Sequence, residues 1–386
     1  MPERDLAQDL AIRDLTDPAQ GPHALQLIVD ALVDALHTRW GCAVRLTRAH
    51  PVVTLADNYE TLGFAPDAVT RDARYTRYVD AGHVLRGHTT AMVPGALRRL
   101  AADRAVGAAL ADVLLACPGI CYRRDSVDWQ HTGTPHQLDL WRIRDGVDRC
   151  TEADLAEMIE LVVGAALPGS RWRMVPAAHP YTEHGREIYA QGDGGWVEIG
   201  ECGLAAPAVL SRAGLDVRRW SGLAMGLGLD RLAMLRKGIQ DIRLLRSTDP
   251  RVAAQLLDLG PYRPVSAMPP VRRDLSVAVG PDVEASAEVI GDRVREALGS
   301  DADVAETVEI ISETPYHDLP PAGRARIGIR PGQRNLLVRL VLRALDRTLT
   351  DDDANRLRDR VYAALHEGVV AQWAAAGRPD ERTPCG

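Results

Sequence analysis

Tyr122, Arg123, Arg124 and Asp125, followed by Asp128, His131, His136, Gln137 and Asp139, concentrate side chains suited to handling a phosphate and an amine together. Read as a hairpin, the first strand presents Arg123 to a phosphate, because a guanidinium is permanently charged and forks onto phosphate oxygens. The second strand presents Gln137 and Asp139 to an ammonium group. A charged hairpin alone is more often a solvated surface. Farther along, Gly226, Leu227, Gly228, Leu229, Asp230 and Arg231 open an apolar helix. These glycines permit close backbone approach to a ligand, and Arg231 can meet a second phosphate. The generic dinucleotide fingerprint does not fit, since the segment lies far from any opening βαβ unit.

These groups need a frame. Leu25, Leu27, Ile28, Leu32, Val33 and Leu36 recur at helical spacing and predict a helix over 24–38. Strands are expected over 42–46 and 52–55, a long helix over 91–115, and the hairpin strands over 119–124 and 137–144. Thr151 ahead of Glu152, Asp154 and Glu157 predicts a capped helix running to 167. Residues 172–175, 187–191 and 196–199 read as strands, and 222–236 as a glycine-rich strand turning into a helix. Gly260, Pro261, Pro264, Pro269 and Pro270 mark a linker. Beyond it, strand 274–279, helix 285–298, strands 304–311 and 335–345 and helix 351–365 fit a split βαβ, ferredoxin-like sandwich.

With 386 residues, 46% of them hydrophobic, the chain can bury one sizeable core and carry a second, smaller domain. It holds no apolar run of about eighteen residues, and its first residues resemble neither a signal nor a transit peptide, so a cytoplasmic protein without a membrane partner is expected. Six scattered cysteines predict reduced, buried thiols and no structural metal. A net charge of -7 argues against bulk attraction to nucleic acid, DNA included, so an RNA partner needs a local patch. Residues 324–347 offer one, with Arg324, Arg326, Arg330, Arg334, Arg339, Arg343 and Arg347 against Asp346 alone. A solvated strand face is the alternative. Lys237 is the only lysine and Phe64 the only phenylalanine, a bias that a GC-rich genome produces.

Four blocks, in order, resemble the phenylalanyl-tRNA synthetases, in layout the single-chain, organelle-type members. They are Leu85, Arg86, Gly87, His88, Thr89 and Thr90; the hairpin; Trp196, Val197, Glu198 and Ile199 with Cys202 and Gly203; and the stretch from Gly222 through Asp241, Ile242 and Arg243. Past the linker, Pro270 to Leu275 and Arg347 to Thr350 look like that family's C-terminal anticodon-binding domain. The resemblance implies an α+β protein: a class II synthetase antiparallel sheet flanked by helices, plus a C-terminal ferredoxin-like domain. It divides the chain into an N-terminal tail (1–20), a catalytic domain (21–260), a linker (261–270), an anticodon-binding domain (271–372) and a C-terminal tail (373–386).

The same resemblance implies that ATP, with Mg2+, and an amino acid give an aminoacyl-adenylate whose acyl group passes to tRNA. Carried over, Arg123 holds the α-phosphate and Arg231 the γ-phosphate, with Asp125, His131, Gly226 and Gly228 completing the ATP site. His88, Thr90, Gln137 and Asp139 position the backbone groups of the amino acid. His179, Tyr181, Glu201, Cys202, Gly203 and Ala224 line its side-chain pocket. From the basic stretch, Arg324, Arg326, Arg339, Arg343 and Arg347 are the candidates to meet tRNA. Members of the single-chain branch are associated with monomers.

The pocket departs from the family. A Phe-Pro-Phe-Thr segment there reads His179, Pro180, Tyr181, Thr182 here, and Leu-Gly-Cys-Gly reads Gly200, Glu201, Cys202, Gly203. Val93, Pro135 and Asp139 replace a Gln, a Phe and a Glu. A carboxylate lining a pocket is costly unless it meets a cation or a donor. Either the pocket is rebuilt for a polar or cationic amino acid, with Glu201 and His179 as the recognition pair, or these two simply pair and the pocket still takes phenylalanine or tyrosine. Other functions to weigh are a paralogue charging a non-tRNA acceptor in specialised metabolism, an inhibitor-resistant backup synthetase, and a non-catalytic binding protein. The last is disfavoured because both phosphate-facing arginines persist.

Overall fold

Helical and alternating burial patterns take turns along the chain, and each resolves into an element. The computed structural model describes residues 1–73, 75–106, 111–265, 269–345 and 347–371. They fall into two units: Met1–Arg123 with Thr132–Arg263, and Arg124–His131 with Pro264–Gly386.

The first unit contains helices α1 (Glu3–Leu10), α2 (Ala24–Trp40), α3 (Val93–Ala105), α4 (Glu152–Ala166), α5 (Pro207–Arg212), α6 (Leu229–Lys237) and α7 (Pro250–Ala253). Its strands are β1 (Ala43–Leu46), β2 (Val52–Thr54), β3 (Arg77–Tyr78), β4 (His83–Leu85), β5 (Asp112–Ile120), β6 (His136–Asp145), β7 (Trp172–Pro176), β8 (Thr182–Gly192), β9 (Gly195–Ala205) and β10 (Trp220–Gly228). Seven form one sheet in the order β1-β5-β6-β10-β9-β8-β7. Only the β1–β5 pair is parallel; the rest are antiparallel. One face is covered by α2 and α4, whose apolar stripes (Leu25, Ile28, Leu32 and Leu36; Leu155, Met158, Ile159 and Val162) are buried. Thr151 and Asp154 form a reciprocal capping box that starts α4. On the other face, Leu97 and Leu100 of α3 pack with Trp141, Tyr181, Val209 and Ala224.

Two expectations change here. The helix expected over 91–115 stops at Ala105, and β5 begins at Asp112. Val113 to Ile120 are all buried, so this central strand reads as a continuous apolar run that periodicity cannot tell from a helix. The hairpin strands therefore pair over Asp112–Ile120 and His136–Asp145, and Arg123 lies beyond the first strand. Residues 1–20 are not a loose tail. Leu6, Leu10 and Ile12 pack on Leu85, Ile120 and Tyr122, while Asp14, Leu15 and Thr16 are buried.

The second unit contains β11 (Val271–Val279), α8 (Ala287–Leu298), β12 (Ala305–Pro315), α9 (Pro321–Ile327), β13 (Arg334–Leu342) and α10 (Asp351–Leu365). The sheet order β11-β13-β12 is antiparallel throughout. This is a split βαβ arrangement in which a fourth strand is not among the described residues. Leu275, Val277, Ile290, Val294, Val338 and Val361 form its core, and Val127 joins them. The expected C-terminal tail, 373–386, and linker residues 266–268 lie outside the described residues. The loop between the hairpin strands belongs to this unit. Val127 O accepts Val308 N–H at 3.1 Å, and Arg295 Nη2 donates to the carbonyls of Asp125 and Ser126, each at 2.6 Å. Gly291 of α8 makes room: a Cβ there would lie 3.0 Å from Asp125 O.

Candidate active site

Strand β10 positions the site because its alternation places Gly222, Ala224, Gly226 and Gly228 on one face and Leu223, Met225 and Leu227 on the other. Across the sheet, Gly226 pairs with Asp139 of β6 on one side and with Glu201 of β9 on the other. A Cβ at Gly226 would stand 3.9 Å from Asp139 Oδ2 and 3.8 Å from Glu201 Cγ. Two carboxylates thus flank a glycine notch. One row along, Gly228 faces Gln137, and one row the other way Ala224 faces Trp141 and Gly203.

Asp139 is buried beneath three donors: Thr89 Oγ1 at 2.7 Å, Thr90 Oγ1 at 3.2 Å and Trp141 Nε1 at 3.1 Å. Burial pushes its carboxyl up to about 6, against the pull of those hydrogen bonds, and the negative charge of Glu201 adds to the rise. Gln137 Oε1 accepts Thr89 N–H at 3.2 Å, which ties β6 to the turn after β4. His88 stands in that turn against Phe64, with ring centroids 5.7 Å apart. Neither of its buried ring nitrogens has a hydrogen-bond partner, and burial, helped by Arg123, pushes the imidazole down to about 4. His88 is therefore a neutral ring, with the Asn58 backbone beside it pulling weakly the other way.

Glu201 is claimed from two sides. His179 Nε2 lies 2.9 Å from Oε2, and the Tyr181 hydroxyl donates to Oε1. The hydrogen bond to Glu201 raises His179 above its ordinary value despite burial. Burial pushes Glu201 up, but His179 and Tyr181 outweigh it and hold the carboxyl below its usual range. Tyr181 stacks on His179 at 5.9 Å and lies 6.3 Å from Trp141. Ala224 is only 1% exposed within this aromatic packing, whereas Gly226 and Gly228 are partly open.

Arg123 Nε donates to Gly87 O at 2.5 Å, and its backbone N–H to Gly133 O at 2.8 Å. Arg231, in the first turn of α6, reaches Glu198 O at 3.1 Å and Glu198 Oε2 at 3.4 Å.

Four expected site residues lie elsewhere. Cys202 pairs with Met225 on the opposite face of the sheet, because adjacent strand residues point to opposite sides. Gly203 is on the right face but covered, since a Cβ there would sit 2.6 Å from Thr182 Cβ. Asp125 and His131 belong to the second unit, where His131 Nδ1 lies 2.7 Å from Asp128 Oδ2. Thr89 and Trp141 are site residues the sequence reading missed. Thr89 adjoins His88 and Thr90 in sequence, but only the fold shows that it, more than Thr90, caps Asp139.

In the second unit, Arg334 pairs with Glu313, Arg339 with Asp274, Arg343 with Glu306 and Arg347 with Asp353. Arg324 stacks on Tyr316 and donates to Leu319 O and His317 O. Among the described residues, Arg326 and Arg330 have no carboxylate partner. Acids supplied by other strands and helices therefore neutralise much of what reads as a basic run in sequence. No helix among the described residues is long and apolar enough to cross a membrane, and no three His, Cys, Asp or Glu side chains stand together as metal ligands.

Residues 9–256 match the family described as tRNA synthetases class II core domain (F). The chain belongs to the class II aminoacyl-tRNA synthetases. Among relatives of this synthetase, the phenylalanine–tRNA ligase alpha subunit of Prochlorococcus marinus (strain MIT 9313) is 33% identical over 247 residues, covering 63% of this chain and 69% of the relative. The Laribacter hongkongensis alpha subunit is 36% identical over 194 residues, or 50% and 55% of the two chains. A solved pyrrolysyl-tRNA synthetase from Desulfitobacterium hafniense aligns at a TM-score of 0.45 with 19% identity, over 64% of this chain and 78% of that one. The synthetase match begins at residue 9, inside the segment expected to be a tail.

Proposed function

We propose that the first unit uses ATP to activate an amino acid with a polar or cationic side chain, and that the second unit binds the tRNA that receives it. The observation that carries this reading is the Asp139–Gly226–Glu201 row. It floors a track closed at Ala224 by Trp141 and Tyr181 and open toward Gly228. An amino acid laid along that track meets Gln137 and Asp139 with its ammonium group and His88 with its remaining polar atoms. Its side chain ends against Glu201 instead of entering an apolar slot.

The α-carboxylate then needs only alignment with the α-phosphate of ATP. It attacks phosphorus, pyrophosphate leaves, and no side chain has to form a bond. Arg123 and Arg231 supply positive charge to the α- and γ-phosphates as it redistributes. Magnesium would be carried mainly on phosphate oxygens, where it offsets their charge. Glu198, beside Arg231, is the carboxylate that would be available to it.

For tRNA, the supporting features are the split βαβ layout and the uncompensated Arg326 and Arg330. We read the chain as a monomer, although the relatives are named as subunits.

Amino-acid-dependent ATP–pyrophosphate exchange tests the assignment. Exchange should be best with a polar or basic amino acid, with phenylalanine at least about tenfold poorer in kcat/KM. Glu201→Gly combined with His179→Phe should shift preference toward phenylalanine. Phenylalanine as the best substrate of the unaltered chain would reduce His179 and Glu201 to a structural pair. Exchange with no amino acid would remove the adenylation reading.

A further inference from the structure

The groups assigned to substrate sit at the ends of three separate segments: Arg123 just past β5, Gln137 at the start of β6 and Arg231 in the first turn of α6. Each segment touches one buried polar network that the reaction itself does not use. His136 is its hub, fully buried and on the opposite side of β6 from Gln137. Its Nδ1 lies 2.9 Å from Asp230 Oδ1, and its backbone N–H donates to the other oxygen of the same carboxylate. Nε2 accepts Leu15 N–H at 3.1 Å, which makes the ring a donor at Nδ1 toward Asp230. Arg246 Nη2 stands 3.2 Å from the same Nε2, and its Nη1 donates to Arg13 O at 3.0 Å.

Leu15 lies on a short strap. One residue earlier, the Asp14 carboxylate accepts Ile120 N–H at 3.1 Å, at the very end of β5, while its other oxygen holds Thr16 N–H at 2.9 Å. Arg48 fastens Thr16 through its carbonyl at 2.6 Å, and Asp9 receives Arg77 Nη1 on both oxygens at 2.9 Å. The strap thus bonds the end of β5 directly. Through His136 it also bonds the start of β6 and the carboxylate next to Arg231. His136 and Asp230 each stand one residue from a substrate group, Gln137 and Arg231, so within a stiff strand or helix the group moves when they move.

We infer that residues 9–16 are a working part of the active site. Through Asp14 and His136 they set the spacing between the amino-acid groups on β6 and the phosphate groups on α6 and beyond β5. His136 and Asp14 are positioning residues, since neither touches substrate. The inference rests on the adenylation reading for the roles of Arg123, Gln137 and Arg231, but the network stands without it.

His136→Asn separates alignment from packing. The amide can keep a donor for Asp230 but offers no acceptor where Nε2 met Leu15 and Arg246, so the strap and Arg246 are released while the Asp230 contact is kept. Asp14→Asn removes the charge that holds the end of β5. Both are made in the full chain and assayed by ATP–pyrophosphate exchange, normalised to competent sites counted by a single-turnover burst of adenylate. Misalignment should lower the rate per competent site by roughly ten- to a hundredfold and raise KM for both ATP and the amino acid. Unchanged per-site rate and KM, with only fewer competent sites, would make the strap mere packing and overturn the inference. Amide hydrogen exchange supplies a readout independent of activity. In His136→Asn, protection should fall selectively in β6 and the first turn of α6 relative to α4, and uniform or unchanged protection counts against the strap. A parent chain that exchanges with no amino acid would sink the adenylation reading, leaving the amide measurement to decide this one.

Discussion

Asp139 shows how one buried carboxyl can be made to wait for its partner. Burial lifts it to about 6 from an ordinary 3.8, so between those values the folded chain holds a proton the unfolded chain has released. Stability consequently falls as pH rises from 3.8 through about 6, and above that the full cost of an ionised, buried Asp139 is present. On the proposed reading an incoming ammonium group offsets that cost and couples substrate binding to the ionised form. Exchange kinetics should show kcat/KM for the amino acid rising about tenfold per pH unit below roughly pH 6 and levelling above it. Asp139→Asn should flatten the profile at a lower value; a wild-type profile already flat across that range would show that Asp139 does not receive the ammonium. The sequence offers Asp139 and Gln137 as candidate amine partners. The three donors that hold Asp139 were not legible there, because Thr89, Thr90 and Trp141 reach it across a turn and along a strand.

Among the elements, β10 and β9 give their glycines different tasks. A methyl group at Gly226 would make ordinary contacts of 3.8 to 3.9 Å and intrude only into the notch between the carboxylates. One at Gly200 would lie 2.2 Å from the backbone oxygen of Gly226. Gly226→Ala should therefore melt within about 1 kcal/mol of the parent while raising the amino-acid KM about tenfold. Gly200→Ala should cost about 1–3 kcal/mol or more and act chiefly through stability. Melting curves paired with exchange kinetics check both, and an unchanged KM in Gly226→Ala would remove the notch from the substrate path. The sequence pattern announced a glycine-rich strand entering a helix at this point. It could not say which glycines face substrate and which face another backbone, because that depends on register with β6 and β9.

At the scale of the whole molecule, the loop from Arg124 to His131 leaves the hairpin of the first unit and takes its packing from the second. Val127 lies in the second unit's core, and Arg295 holds the carbonyls of Asp125 and Ser126. Deleting the chain after Arg263 removes every one of those partners. The shortened protein should keep the first unit's own core while residues 124–131 lose amide protection at least about tenfold relative to α4. Unchanged protection over 124–131 in the truncated chain would show that the loop holds its conformation without those partners. Linker composition marks only the break at 261–270, whereas the second segment, 124–131, carries no compositional mark.

The order of Arg123, Gln137, Asp139 and Arg231 along the chain, each beside a strand or helix signal of its own, was enough to propose the chemistry. Guanidinium, carboxylate and glycine act through properties that residue type already carries. Local capping and periodicity likewise determined α2, α4 and α10. Tertiary structure alone decided what those groups face. Strand alternation turned Cys202 away, Thr182 covered Gly203, and Asp274, Glu306, Glu313 and Asp353 took up arginines that look free in sequence. It also made a strap of the first residues, because hydrogen bonds from Leu15 to His136 and from Ile120 to Asp14 span more than a hundred positions. Pairings of that range leave no period or spacing behind in the sequence.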